Sequence, residues 1–262
     1  MPEITSTKLS IDVGLLPSGA GARVLDVGCG DGRHLRAAAA RGCTAMGVDY
    51  DASALHSTRA AIGASVDLVV ADAAHLPFLA GAFDAVICTE TLEHLPDDAG
   101  ATREIARVLQ DGGTLLGAVP THFTERLYWH LSRGYREAPG GHVRIYTPHE
   151  LIGRLRCAGL RVTGARYAHF IDSMIWLRFC VTDVLRPRRP RSDYEAAIML
   201  AVAAERPVAS WRTTLRRAIA RSRFIAAIDA AGACIWPKSL LFVARKSGGP
   251  ARSPEDDGSS AR

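Results

Sequence analysis

The stretch VLDVGCGDGRH, residues 24–34, runs an apolar segment through Asp26 and then sets glycines at positions 28, 30 and 32. Glycine loses more backbone freedom on folding than any other residue. Three at alternate positions therefore mark a backbone that must turn tightly and let something approach closely. A second acid, Asp49, closes the next apolar run, TAMGVD, at about the distance downstream where an acid binds ribose hydroxyls. A phosphate loop of the form G-x-x-x-x-G-K-[ST] does not occur. A dinucleotide fingerprint needs a third glycine where Arg33 stands. Asp26 would repel a pyrophosphate but could hold an ammonium group. The pattern asks for a nucleoside that carries a positive group.

Three histidines lie where they could meet the partner of such a ligand. His94, in ETLEHLPD, follows the fourth apolar run, and His142, in GGHVRIYTPHEL, lies in a loop that two glycines would allow to close. Both are candidates for general acid or base work, with loop packing the alternative for His94. His122, in VPTHF, suits a pocket wall, whereas His130 and His149 suit surface or helix-start positions. These histidines form no recognisable metal-ligand set, and no metal is expected.

Short apolar runs alternating with helical patterns must position these residues. VLDV, TAMGVD, VDLVVAD, FDAVICT and GTLLGAVP read as strands. RHLRAAAARG, DASALHSTRAAI and DDAGATREIARVL, the last closed by QDGG, read as helices between them. Residues 121–147 read as irregular. PHELIGRLRCAG is a helix with Thr147 as its cap, and LRVTGARYA and SLLFVARK are the last two strands. The fold class is α/β: a Rossmann-like, seven-stranded, mostly parallel sheet with helices on both faces and a helical insertion between the last two strands.

At these residues the sequence resembles the class I S-adenosylmethionine-dependent methyltransferases, in their type 11 small-molecule branch. The resemblance rests on VLDVGCGDG, GVDYD, ADAAHLPFLAGAFDAVICTETLEHLPD and RVLQDGGTLLGAVP, in order and at family spacing. It implies S-adenosyl-L-methionine as cofactor. Asp26, Gly28 and Gly30 would frame its methionine end, Asp49 would take the ribose hydroxyls, Asp72 and the Ala73 backbone the adenine, and Thr89 the sulfonium side. Taken singly, Asp26 and Asp72 could equally cap a turn or helix. The expected organisation is an N-terminal segment at 1–20, a cofactor-binding core at 21–167, a helical cap at 168–236, a final core strand at 237–246 and a disordered tail at 247–262.

Composition bounds the rest. The chain has 262 residues, a net charge of +5, 48% apolar residues and six scattered cysteines, as expected of an ordinary globular protein in a reducing cytosol. No signal peptide or bilayer-spanning run is read, and the expected location is cytoplasmic, with peripheral membrane contact open. Trp176 and Phe179, in FIDSMIWLRFCVTDVL, are candidates for the wall facing the acceptor, with core packing the alternative. VASWRTTLRRAIARSRFIAAIDAAG reads as a basic amphipathic helix that can lie on an anionic membrane or pack on its own domain. The expected partner is a small, apolar, lipid-like or secondary-metabolite acceptor. A nucleic-acid methyltransferase lacks support from any N-P-P-Y-like tetrapeptide, and a non-catalytic cofactor-binding module is the third reading.

Overall fold

The structure, a computed structural model, describes residues 9–63, 66–136, 141–185 and 223–248. The strands are β1 (Arg23–Val27), β2 (Thr44–Asp49), β3 (Asp67–Val70), β4 (Phe83–Thr89), β5 (Leu109–Pro120), β6 (Leu160–Ala168) and β7 (Ser239–Lys246). They form one sheet in the order β3-β2-β1-β4-β5-β7-β6. The β1–β2, β1–β4, β2–β3 and β4–β5 pairs are parallel. The last strand runs against its neighbours. Lys238, just before β7, bonds to Thr121 past the end of β5 and to Ala168 at the end of β6. At the other end of β7, Ser247 donates to Gly159 before β6, and Lys246 reaches the carbonyl of Leu109 at the start of β5.

The central strands are covered on both faces, which is why they read as unbroken apolar runs. Val24, Leu25 and Val27 of β1 and Ala85, Val86 and Ile87 of β4 are fully buried. Asp26 is the exception inside this run, at 1% exposure. The flanking helices begin where their sequences provide caps. Asp51 caps α2 (Ala52–Ile62), Asp97 caps α3 (Asp98–Val108), and Thr147 with Glu150 closes a capping box on a later helix, Pro148–Cys157. Helix α1 (Arg33–Ala40) has no side-chain cap; it leaves the glycine turn at Gly32, whose φ of 71° is left-handed.

The chain divides into two compact units. One comprises Leu9–Val119, Tyr146–Arg166 and the chain from Leu241 onward, and carries most of the sheet. The other draws on Pro120–Ile145 and Tyr167–Leu240 and is mainly helical among the described residues. Its helices are α4 (His122–Leu131), α5 (Arg133–Arg136), α7 (Phe170–Leu185) and α8 (Arg223–Ala233), the capping-box helix Pro148–Cys157 being α6. Polar contacts tie them together. Tyr128 of α4 donates to the Ser173 carbonyl at 2.8 Å, Thr124 to the Pro237 carbonyl at 2.8 Å, and the Ile171 amide to Asp229 at 2.8 Å. Gly232 lies so close to the Phe170 ring that a Cβ there would come within 2.4 Å of it.

Two expectations change. Residues 121–147, read as irregular, contain α4 and α5, and 121–145 belong to the helical unit. The fifth strand begins at Leu109 rather than Gly113: Phe83 pairs with Leu109 and Ala85 with Thr114, so the intervening residues bulge out at Gly112, with φ 76°. RPRRPR, SDYEAAIMLAVAAE, Arg212, Arg216, Arg217, Arg221 and the tail from 249 lie outside the described residues. Among those described, no helix is long and apolar enough to cross a membrane.

Candidate functional site

The glycine turn is held from three sides within the sheet unit. The Gly28 and Cys29 amides both donate to the Val48 carbonyl, at 2.8 and 3.0 Å. Thr58, buried on α2, donates to the Gly30 carbonyl. Asp49 accepts from the Gly30 amide at 3.0 Å through one oxygen and from the Asp51 amide at 3.1 Å through the other. The two glycines differ in surroundings. A Cβ on Gly28 would fall 2.4 Å from the Thr91 hydroxyl, whereas a Cβ on Gly30 would meet nothing within 4 Å. Gly28 is small because the protein is there; Gly30 faces open space.

Asp26 has no hydrogen-bond partner for either carboxylate oxygen among the described residues. Burial pushes its carboxyl up from 3.8 to about 8, opposed by the Arg33 guanidinium and reinforced by Asp31 and Asp49. Its neighbour His34 is also buried, and burial together with Arg33 and Arg36 takes its ring down to about 3. The Ser10 amide donates to His34 Nε2 at 3.3 Å, which leaves the proton of the neutral ring on Nδ1. That nitrogen lies 3.8 Å from Asp26 and 3.4 Å from the Thr89 hydroxyl. Near neutral pH His34 is uncharged and Asp26 largely protonated, so their approach is a polar contact and not an ion pair.

This environment fixes a pH dependence of the ligand-free protein. The folded-state value of Asp26 stands above its unfolded value, so the folded state binds more protons between 3.8 and about 8. The stability it contributes is complete below that window and is lost as pH rises through about 8. Asp26→Asn should flatten the dependence of the urea midpoint on pH across the window; an unchanged slope would mean that Asp26 is already ionised.

A second cluster forms within the helical unit. His142 Nδ1 lies 2.5 Å from Glu125 Oε1, with the side chains 14% and 5% exposed. The Tyr135 hydroxyl donates to the same carboxylate at 2.9 and 3.1 Å. Tyr135 packs its ring edge-on to His142 and Tyr128, with centroids 6.2 Å away in each case, and tilts against Trp176 at 5.3 Å. Trp176 meets Phe179 edge-on at 5.8 Å. The structure thus brings His142 and Trp176 to Tyr135, with Phe179 behind Trp176. His122 opens α4 at intermediate exposure, three residues before Glu125. His94 ends a 3-10 turn, Leu92–His94, in the sheet unit, its amide donating to Thr91 at 3.0 Å.

The Methyltransferase domain family matches residues 25–117. The ubiquinone biosynthesis O-methyltransferase of Thiobacillus denitrificans is 36% identical over 172 residues, 56% of this chain and 69% of that protein. The chain belongs to the class I S-adenosylmethionine-dependent methyltransferases. The enzyme of the same name from Ralstonia nicotianae is 32% identical over 161 residues, 54% of this chain and 63% of that protein. The chain thus matches about two thirds of the length of these curated relatives. In fold, the YcgJ protein of Bacillus subtilis superposes with a TM-score of 0.58 at 19% identity, over 90% of this chain and 97% of that one.

The residues of this methyltransferase fit the family's cofactor, S-adenosylmethionine. A buried carboxyl group without a hydrogen-bond partner among the described residues, which a cation would help to ionise, an open space at Gly30 and an acid at the end of β2 suit a nucleoside with a cationic end. Asp72 is 61% exposed, and its carboxyl is held below the usual range by the Ala74 amide and by His75. That is the turn-capping contact expected of an aspartate there, and the carboxylate keeps further lone pairs for another donor. Ala73 beside it and Thr89 at the end of β4 are buried. Sequence reasoning missed His34, Glu125 and Tyr135. His34 shares the buried face of α1 with Leu35 and Ala38, and its position in that apolar stripe was the available signal.

Proposed function

We propose that this methyltransferase methylates a hydroxyl on an aromatic ring that carries an apolar tail. The observation that carries the reading is the Glu125–His142 pair held by Tyr135, from which an aromatic chain runs on to Trp176 and then Phe179. The names of the relatives, which place them in ubiquinone biosynthesis as O-methyltransferases, support it. When bound, S-adenosylmethionine supplies an activated methyl group whose bonding electrons return to sulfur. Asp26, Gly28, Gly30 and Thr89 would hold its methionine end, Asp49 its ribose, and Asp72 with the Ala73 backbone its adenine. His142 takes the proton that the acceptor hydroxyl loses as its oxygen attacks, and later returns it to water. His94 is the other candidate for that proton. Trp176, Phe179 and His122 position the acceptor's ring and tail, since alignment supplies much of the rate for an already activated donor.

The test is S-adenosylhomocysteine release across a panel of catechols and phenols with and without a prenyl chain. Release stimulated by the prenylated members supports the reading, and release stimulated only by RNA, weakening with salt, overturns it. Peripheral contact with an anionic bilayer goes with a lipid-tailed acceptor and with the basic stretch VASWRTTLRRAIARSRFIAAIDAAG; liposome flotation reads it.

The two glycines give a sharper check on where the cofactor lies. Gly30→Ala should fold, with a left-handed penalty of roughly 1–2 kcal/mol, yet bind S-adenosylmethionine poorly, because its methyl enters the open space. Gly28→Ala should lose thermal stability first, through its clash with Thr91. Calorimetry on folded Gly30→Ala showing native affinity would place the ligand elsewhere.

A further inference from the structure

We infer that Glu125 is a positioning residue for the base: it holds His142 with its proton on Nδ1 so that Nε2 receives the acceptor's proton, and Tyr135 holds Glu125. This rests on the reading of His142 as the base. Glu125 lies on the buried face of α4 with Thr124 and Tyr128. Those two neighbours have structural partners, the Pro237 and Ser173 carbonyls. Glu125 instead spends its carboxylate on His142 and on the Tyr135 hydroxyl, at 5% exposure. A buried carboxylate is costly unless its oxygens accept hydrogen bonds.

The proton balance is closed. The acceptor O–H bond breaks and an N–H bond forms at His142 Nε2. Nδ1 keeps its own proton and hydrogen-bonds through it to the Glu125 carboxylate, which faces the imidazolium that results. A carbon or a permanently ionised acceptor would need neither residue, so the arrangement is matched to a hydroxyl that must be deprotonated as it attacks.

The experiment follows the ring nitrogens of His142 by 15N NMR at a pH where imidazoles are neutral, with His142→Ala assigning the signals. The native protein should show the Nδ1–H tautomer, and Glu125→Ala should lose it. Glu125→Leu, which keeps volume and offers no acceptor, serves if Glu125→Ala does not fold. In turnover with the prenylated catechol, Glu125→Gln should lower kcat by about 10²–10³-fold, leave acceptor KM and cofactor affinity within about twofold, and be partly rescued by Glu125→Asp. A folded Glu125→Ala or Glu125→Leu that keeps the Nδ1–H tautomer overturns the proposal. So does a folded Glu125→Gln with native kcat beside an inactive His142→Ala. If His142→Ala itself keeps native turnover, the assignment of the base fails instead.

Discussion

Asp49→Ala should weaken S-adenosylmethionine binding by about ten- to a hundredfold, the equivalent of losing charge-assisted hydrogen bonds worth roughly 1.5–3 kcal/mol. Both Asp49 oxygens already accept backbone amides, from Gly30 and Asp51, and each has a further lone pair to offer a ribose hydroxyl. The substitution therefore acts twice: it removes an acceptor from the ligand and releases the glycine turn that frames it. Asp49→Asn separates the two effects, because its single carbonyl oxygen can hold Gly30 while the second acceptor and the charge are gone. It should fall between the native protein and Asp49→Ala in titration calorimetry. A folded Asp49→Ala with native affinity would remove the ribose assignment.

His142→Ala should reduce turnover by about 10²–10⁴-fold and leave cofactor affinity unchanged. The reason is the role proposed for it: the base meets the acceptor's proton, while the cofactor contacts are proposed for Asp26, Gly28, Gly30, Asp49, Asp72, Ala73 and Thr89. Single-turnover measurements with saturating S-adenosylmethionine separate the two effects. If His94→Ala shows the loss and His142→Ala does not, the base is the histidine that follows β4. If both variants turn over normally, alignment alone carries the reaction.

The sheet unit was largely legible because its signals are local. β2 (Thr44–Asp49), β4 (Phe83–Thr89) and β7 (Ser239–Lys246) coincide with apolar runs, and α6 starts at the Thr147 cap read from its sequence. Helix α4 was not legible. HFTERLYWHL is rich in aromatic and histidine residues of middling helix propensity, and Thr121 makes no side-chain cap bond. The helix is anchored by partners far along the chain, Pro237 for Thr124 and Ser173 for Tyr128, 113 and 45 residues away. Missing that helix concealed Glu125, which reaches His142 across 17 residues. The histidine could be picked out from its glycine-flanked loop; the carboxylate that orients it could not, since only tertiary packing brings the two together. His34 was passed over for the opposite reason. It sits in a regular helix, and only the burial of Asp26 beside it gives the ring a role.

Transfer of a 13C-labelled methyl group from S-adenosylmethionine to a prenylated catechol tests the central claim most directly. One labelled methoxy carbon is expected for each S-adenosylhomocysteine released, with the label on oxygen and the yield abolished in His142→Ala. Label found on carbon or nitrogen, or cofactor that binds and is never turned over across the acceptor panel, would contradict it.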